Sequence, residues 1–235
     1  MPPETTCRFD LFTVSTGAVP QAVWRIATDR WRLRLAAPVF WKLLGTGDGR
    51  TFDARDADLR RWALLTVWPA ATDAAAFAQQ ADVVPGWRRI ADEHWWATLR
   101  PLRATGRWSG ATPFPARADA GEATSVGPVA VVTRARLRVR RAGRFWRSVA
   151  AVNADLDRAD GLLLRIGIGE APIGLQGTFS LWSSAADMQA FAYRGAPHRD
   201  VVRRSSDEHW YAEELFARFA VRDHGGTVFG DDPLA

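Results

Sequence analysis

The chain has 235 residues, 47% of them hydrophobic and 24% charged, a balance that suits one large or two small globular domains and excludes wholesale disorder. Its formal charge of +5 permits attraction to phosphates or acidic partners without demanding it, and no stretch approaches the ~20 apolar residues of a spanning helix. A single cysteine, Cys7, excludes an internal disulfide and a thiolate zinc cluster.

The opening MPPETTCRFD has no basic stretch followed by an apolar run, so a secretory signal is not expected and a cytoplasmic, reducing location is. Arg8-Phe9 begins an apolar strand that runs through Val14. A helix follows over Pro20 to Leu35, where Trp24, Ile26, Trp31 and Leu35 recur at roughly helical spacing. Two strands come next, Val39–Leu44 and Trp62–Trp68. Asp73 then stands where a helix cap or first-turn carboxylate is favourable. A helix carrying Glu93-His94-Trp95 and a strand near Leu99–Trp108 close this half. The second half reads in the same order: strand Val129–Leu137, helix Arg141 to Asp155, strands Leu162–Ile168 and Leu175–Trp182, Asp187 at a helix start, a helix with Glu208-His209-Trp210, and a strand near Phe216–Val221.

This parallel is an internal repeat. Asp92-Glu93-His94-Trp95-Trp96 recurs as Asp207-Glu208-His209-Trp210-Tyr211, an offset of 115 (209 − 94). Trp68 with Phe77 matches Trp182 with Phe191, an offset of 114 (191 − 77). Gly45-Thr46-Gly47 matches Gly167-Ile168-Gly169, an offset of 122 (167 − 45). The Ala-, Pro- and Gly-rich stretch between Gly110 and Gly127 reads as a linker, giving an N-terminal half 1–110, a linker 111–127 and a C-terminal half 128–235. The β-α-β-β-α-β order is the ferredoxin-like unit. The fold class is therefore α+β, with tandem ferredoxin-like repeats forming a dimeric α+β barrel type of structure within one chain. Exposed sheet edges would favour a homodimer, whereas the tandem repeat lets one chain complete a barrel by itself.

The usual catalytic motifs are absent: no Gly-x-Ser-x-Gly elbow, no His-Glu-x-x-His and no Walker loop. The glycine pairs at 45–49 and 167–169 read as strand-end turns rather than a dinucleotide fingerprint. Of four histidines, His94 and His209 occupy matching places and read as structural helix residues, and His224 reads as a solvated turn. His198 has no counterpart, and it is either an exposed helix-start residue or a ligand for haem iron. Arg134, Arg136, Arg138 and Arg140 alternate along a strand, with Arg141, Arg144 and Arg147 following. They read as a solvated or edge-protecting face, or as a contact for haem propionates, an anionic membrane surface or an acidic electron donor. No aromatic RNA-binding motif accompanies them, so nucleic acid is not an expected partner. Twelve tryptophans supply apolar area suited to a flat or extended ligand.

Three runs carry a family likeness. Phe40-Trp41-Lys42-Leu43-Leu44-Gly45-Thr46-Gly47, Leu164-Arg165-Ile166-Gly167-Ile168-Gly169-Glu170-Ala171-Pro172 and Trp210-Tyr211-Ala212-Glu213-Glu214-Leu215-Phe216-Ala217-Arg218-Phe219 resemble the spheroidene monooxygenase family of carotenoid biosynthesis, and the likeness extends from Phe9 to about Gly230. The repeat also resembles dimeric α+β barrel haem proteins. The resemblance implies a haem b (iron) oxidoreductase of the monooxygenase type, acting on a small apolar or secondary-metabolite substrate with an electron donor. It implies His198 as iron ligand, with His209 the alternative, and a haem beside Phe179 and Trp182. Arg165 or Arg194 would supply positive charge to propionates or dioxygen, and Glu213 or Glu214 would orient a histidine or move a proton. An aldoxime-dehydratase-like reaction on an N-oxygenated substrate and a non-catalytic haem or apolar-ligand barrel are the alternatives. Peripheral membrane contact fits an apolar substrate.

Overall fold

The computed structural model describes residues 4–47, 57–80, 82–115, 127–137, 156, 158–170, 175–194 and 211–235. Eight antiparallel strands form one closed barrel: β1 (Thr6–Val14), β2 (Phe40–Gly47), β3 (Ala57–Trp68), β4 (Ala91–Gly106), β5 (Val129–Leu137), β6 (Leu162–Gly169), β7 (Leu175–Trp182) and β8 (Tyr211–Gly226). Helix α1 (Val19–Ala36) follows β1, α2 (Ala71–Gln80) and α3 (Val83–Arg88) follow β3, and α4 (Ala185–Arg194) follows β7. Around the barrel the order is β1-β3-β2-β6-β7-β5-β8-β4. Each half alone is thus β4-β1-β3-β2 or β8-β5-β7-β6, the ferredoxin-like arrangement, and the halves join along β2–β6 and β4–β8.

The strand sequences explain why both faces are covered. In β1, Cys7, Phe9 and Leu11 point into the barrel while Arg8, Asp10 and Phe12 point outward, and all six are buried. The interior is packed with apolar side chains from both halves, among them Phe9, Leu44, Leu65, Trp95, Val132, Ile166, Phe179 and Phe219. Each end carries a plug. After β4, Trp108 and Ala111 exchange backbone hydrogen bonds of 2.9 and 3.1 Å across Ser109 and Gly110, and Trp108 and Phe114 enter the core. After β8, Val228 and Asp231 do the same at 2.9 and 3.3 Å across Phe229 and Gly230, and Val228 and Leu234 enter the other end. All four central turn residues have positive φ, as a tight turn between twisted antiparallel arms requires.

The repeat is real, but its registers differ from those read in the sequence. Trp68 and Trp182 are equivalent as expected. Each indole donates to a hydroxyl two residues back, Thr66 at 2.9 Å and Ser180 at 3.1 Å, and each packs against the matching phenylalanine, Phe77 or Phe191. By contrast, the Glu-His-Trp string belongs to no helix in the first half. Glu93, His94 and Trp95 lie in β4, where Trp95, Ala97 and Leu99 alternate into the barrel. The plugs and strand pairing make Glu213, not Glu208, the counterpart of Glu93, an offset of 120 (213 − 93). Likewise the pairing of β2 with β3 and of β6 with β7 makes Gly45 the counterpart of Gly169, an offset of 124 (169 − 45). These glycines are not turns. Gly45, Thr46 and Gly47 pair with Gly169, Ile168 and Gly167 to form the β2–β6 seam.

Other expectations change for identifiable reasons. On α1, Trp24, Trp31 and Leu35 face solvent, and of the four spaced apolar residues only Ile26 packs on the core. Arg134 is buried inside the closed barrel and ion-paired, so it is neither a solvated residue nor an edge guard. Arg138, Arg140, Arg141, Arg144 and Arg147, and the helix expected over Arg141 to Asp155, lie outside the described residues. His224 is in strand β8 rather than a turn, its Nδ1 3.0 Å from Asp232. With the sheet closed on itself, no strand edge remains among the described residues to template a homodimer.

Candidate active site on the outer face of the second half

The barrel interior is packed with apolar side chains from both halves. The equivalences allow the two outer faces to be compared residue by residue. In the first half, Phe12, Leu43, Leu64 and partly buried Trp41 hold α1, α2 and α3 against the sheet with Leu33, Phe77 and Trp87. Their counterparts in the second half are Ala135, Gly167, Thr178 and Arg165. Every one is smaller or polar. Among the described residues the second outer face carries less apolar bulk than the first, its apolar cluster comprising Val129, Val131, Trp182 and Met188 with a few partly buried neighbours.

What replaces that bulk is a set of polar groups in cross-strand rows. Arg165 pairs in register with Ser180, Ser180 with Val131, and Val131 with Arg218. The next row is Gly167, Thr178, Thr133 and Phe216. Thr133 and Thr178 share a hydroxyl hydrogen bond of 2.6 Å. Arg218 and Ser180 are buried, and Phe216 is exposed. Trp182 ends the face under α4, against Met188 and Phe191. The start of α4 is fixed by a capping arrangement in which the Ser183 and Ser184 hydroxyls donate to Asp187 and the Asp187 amide donates to Ser184 Oγ at 3.1 Å. These hydroxyls hold the Asp187 carboxyl below its ordinary pKa.

The residues singled out from the sequence separate. Arg165 and Trp182 lie on this outer face. Phe179 does not. It points into the barrel, fully buried and stacked on Phe9, because residues three apart on a strand face opposite ways, so it cannot line a pocket with Trp182. Arg194 is the last residue of α4. His198 and His209 lie outside the described residues.

Glu213 also points inward, at the barrel end closed by Trp108. It accepts backbone hydrogen bonds from Ser109 (2.9 Å) and Gly110 (2.8 Å) and is ion-paired with Arg134. Arg134 also reaches Glu170 at 3.3 Å, and Glu170 takes Lys42 and the Trp108 indole, each at 2.5 Å. Burial raises the Glu213 pKa, but those amides and Arg134 outweigh it and hold the carboxyl below its ordinary value. A carboxylate so committed anchors the two halves to each other; the sequence reading expected it to orient a histidine or move a proton. Glu214 is exposed on the outer face.

A second polar group, unnoticed in the sequence, lies on the outer face of the first half. Asp10 is fully buried, receives Arg8 Nε at 2.9 Å and lies 2.8 Å from His94 Nε2. The His94 ring stacks on Phe12 and Arg8 lies over Trp96. Only the register joins Asp10 to His94, 84 residues away, so no local pattern announced it. Among the described residues no group of three or more His, Cys, Asp or Glu side chains gathers for a metal ion.

The architecture defines the class, a tandem ferredoxin-like α+β barrel. The chain superposes on aldoxime dehydratase with a TM-score of 0.59 at 8% identity, covering 93% of this chain and 81% of that one. A butyraldoxime complex of such an enzyme gives 0.60 at 9%, covering 93% and 79%. At such identities the likeness shows the fold alone. No protein-family profile matches the chain. It is 34% identical over 229 residues to the spheroidene monooxygenase of Rhodobacter capsulatus, covering 97% of this chain and 92% of that protein. It is 37% identical over 183 residues to that of Rubrivivax gelatinosus, covering 77% and 67%. The Cereibacter sphaeroides protein of the same name is 34% identical over 196 residues, 83% of this chain but only 59% of its own length. The chain belongs to the spheroidene monooxygenase family.

Proposed function

We propose that this chain is a haem-dependent monooxygenase that oxidises an apolar, carotenoid-like substrate on the outer face of its second half. The observation that carries the activity is the 34% identity, over 97% of the chain, to a relative named for spheroidene monooxygenation. The thinning of the second outer face, from Phe12, Leu43 and Leu64 to Ala135, Gly167 and Thr178, supports the location.

The donor set there fits a flat apolar group with anionic arms. Small residues would leave room for the ring, Trp182 and Phe216 would flank it, and Arg165 and Arg218 would face the carboxylates. In this reading His198 would hold the haem iron, with His209 the alternative, and Arg194 would be a further cation. Of the other two histidines, His94 is turned to Asp10 and His224 to Asp232, both at carboxylates rather than toward this face. Haem, when bound, supplies the activation of dioxygen. The chain's residues would bind and orient: the arginines would fix the anionic arms, the Thr133–Thr178 pair would offer hydroxyls to a polar substrate end, and Phe216 would pack on an apolar body. Monooxygenation also requires an external electron donor.

The test is spectral and chemical. Protein supplied with haem should show a Soret band that His198→Ala displaces and His94→Ala leaves unchanged. Oxygen uptake should be coupled to product. Turnover without oxygen consumption would instead favour dehydration of an N-oxygenated substrate, and binding without product under any redox condition would favour a ligand-binding barrel.

A further inference from the structure

Helix α1 buries an ion pair and exposes a row of large apolar side chains. Its buried side holds Arg25 and Asp29 between Ala22 and Leu33, with Ile26 partly buried against the core. Arg25 reaches Asp29 at 3.1 Å and the carbonyls of Asp82 and Val83 at 3.0 and 3.2 Å, while Arg32 reaches Asp29 at 2.7 Å. Burial outweighs both arginines and raises the Asp29 carboxyl, so this ion pair is held inside against its own desolvation. The outward side carries Pro20, Val23, Trp24, Ala27, Trp31 and Leu35 in a continuous ridge over the length of the helix. Trp24, Trp31 and Leu35 are 58%, 52% and 73% exposed, and Val39 just beyond the helix is 66% exposed. An ordinary surface helix does the reverse.

We infer that α1 is a peripheral docking surface for an anionic lipid bilayer, with Trp24, Trp31 and Leu35 entering the interfacial region. Tryptophan and leucine on one face of a helix beside arginines suit that environment. Arg30 and Arg34 are exposed along one flank of the ridge, and the helix has no exposed acid, because its one carboxylate, Asp29, is buried. That charge pattern favours lipid over a second copy of the chain. A symmetric pairing of this face would bring arginines together without a carboxylate, whereas anionic headgroups neutralise them. No described helix is long and apolar enough to cross a membrane, so docking would be at the surface.

Full-length protein is floated with phosphatidylcholine vesicles, with and without phosphatidylglycerol, at low and high salt. Wild type should float with the anionic vesicles and be released by salt. Trp24→Ser/Trp31→Ser/Leu35→Ser, all at exposed positions, should reduce binding about tenfold or more with an unchanged unfolding temperature. Arg30→Glu/Arg34→Glu should abolish the preference for anionic vesicles. Failure of wild type to bind, equal binding by the triple variant, or a lipid-free dimer that the triple variant dissociates would each overturn the assignment.

Discussion

Phe9 of the first half and Phe179 of the second lie face to face at the centre of the barrel, ring centroids 3.9 Å apart and planes within 2°. Neither ring is exposed. Truncating either to alanine should destabilise by about 3–5 kcal/mol, and the double variant should show a coupling of about 0.5–1.5 kcal/mol. Urea titration measures both. Because the rings belong to different halves and one core, unfolding should remain a single transition. Two separated transitions would contradict a shared core.

Glu213 binds the halves electrostatically. Its folded pKa is depressed, so its contribution to stability is present above the unfolded value of about 4.3 and is lost as pH falls through the lower folded value. Glu213→Gln should lower stability at neutral pH by about 1–3 kcal/mol and flatten the acid limb of a stability–pH curve. A variant with the wild-type acid limb would show that the ionised Glu213 carboxylate contributes nothing to stability.

Asp10 makes the same argument in a drier place. Burial raises its pKa, but Arg8 and His94 reverse the effect and depress it overall. Its contribution is again lost on acidification, below the usual range near 3.9. Asp10→Ala leaves buried Arg8 and partly buried His94 without their carboxylate and should lower stability by about 3–5 kcal/mol at neutral pH. Thermal unfolding with wild-type stability would refute this.

The second outer face can be filled with the first half's own residues. Ala135→Phe and Thr178→Leu install the counterparts of Phe12 and Leu64. Each should leave stability within about 1–3 kcal/mol of wild type while reducing haem binding and activity at least about tenfold. Haem titration followed by a turnover assay checks it. Full haem binding by a well-folded Ala135→Phe protein would move the site elsewhere.

Much of the scaffold is written locally. Val129 to Leu137 and Leu175 to Trp182 are legible as short β-branched and aromatic runs bounded by Gly, Pro and Ser, and Asp187 marks a helix start. The Trp68–Phe77 and Trp182–Phe191 pairs reveal the duplication at its correct spacing. The string around His94 misleads because a strand beginning with charged residues resembles a helix until its partner is known, and the offset of 120 between Glu93 and Glu213 exists only in the strand registers. Phe179 and Trp182 could have been assigned to opposite faces from their odd spacing.

Family membership, the ferredoxin-like order and the tandem arrangement are therefore properties of the sequence, since each depends on residues near one another or on likeness between whole stretches. Closure of eight strands within one chain, the burial of Arg134, the meeting of Asp10 with His94 and the outward turn of Trp24 and Trp31 belong to the tertiary structure. They arise from pairings between distant residues, where desolvation and register, rather than local preference, decide which side of an element meets water.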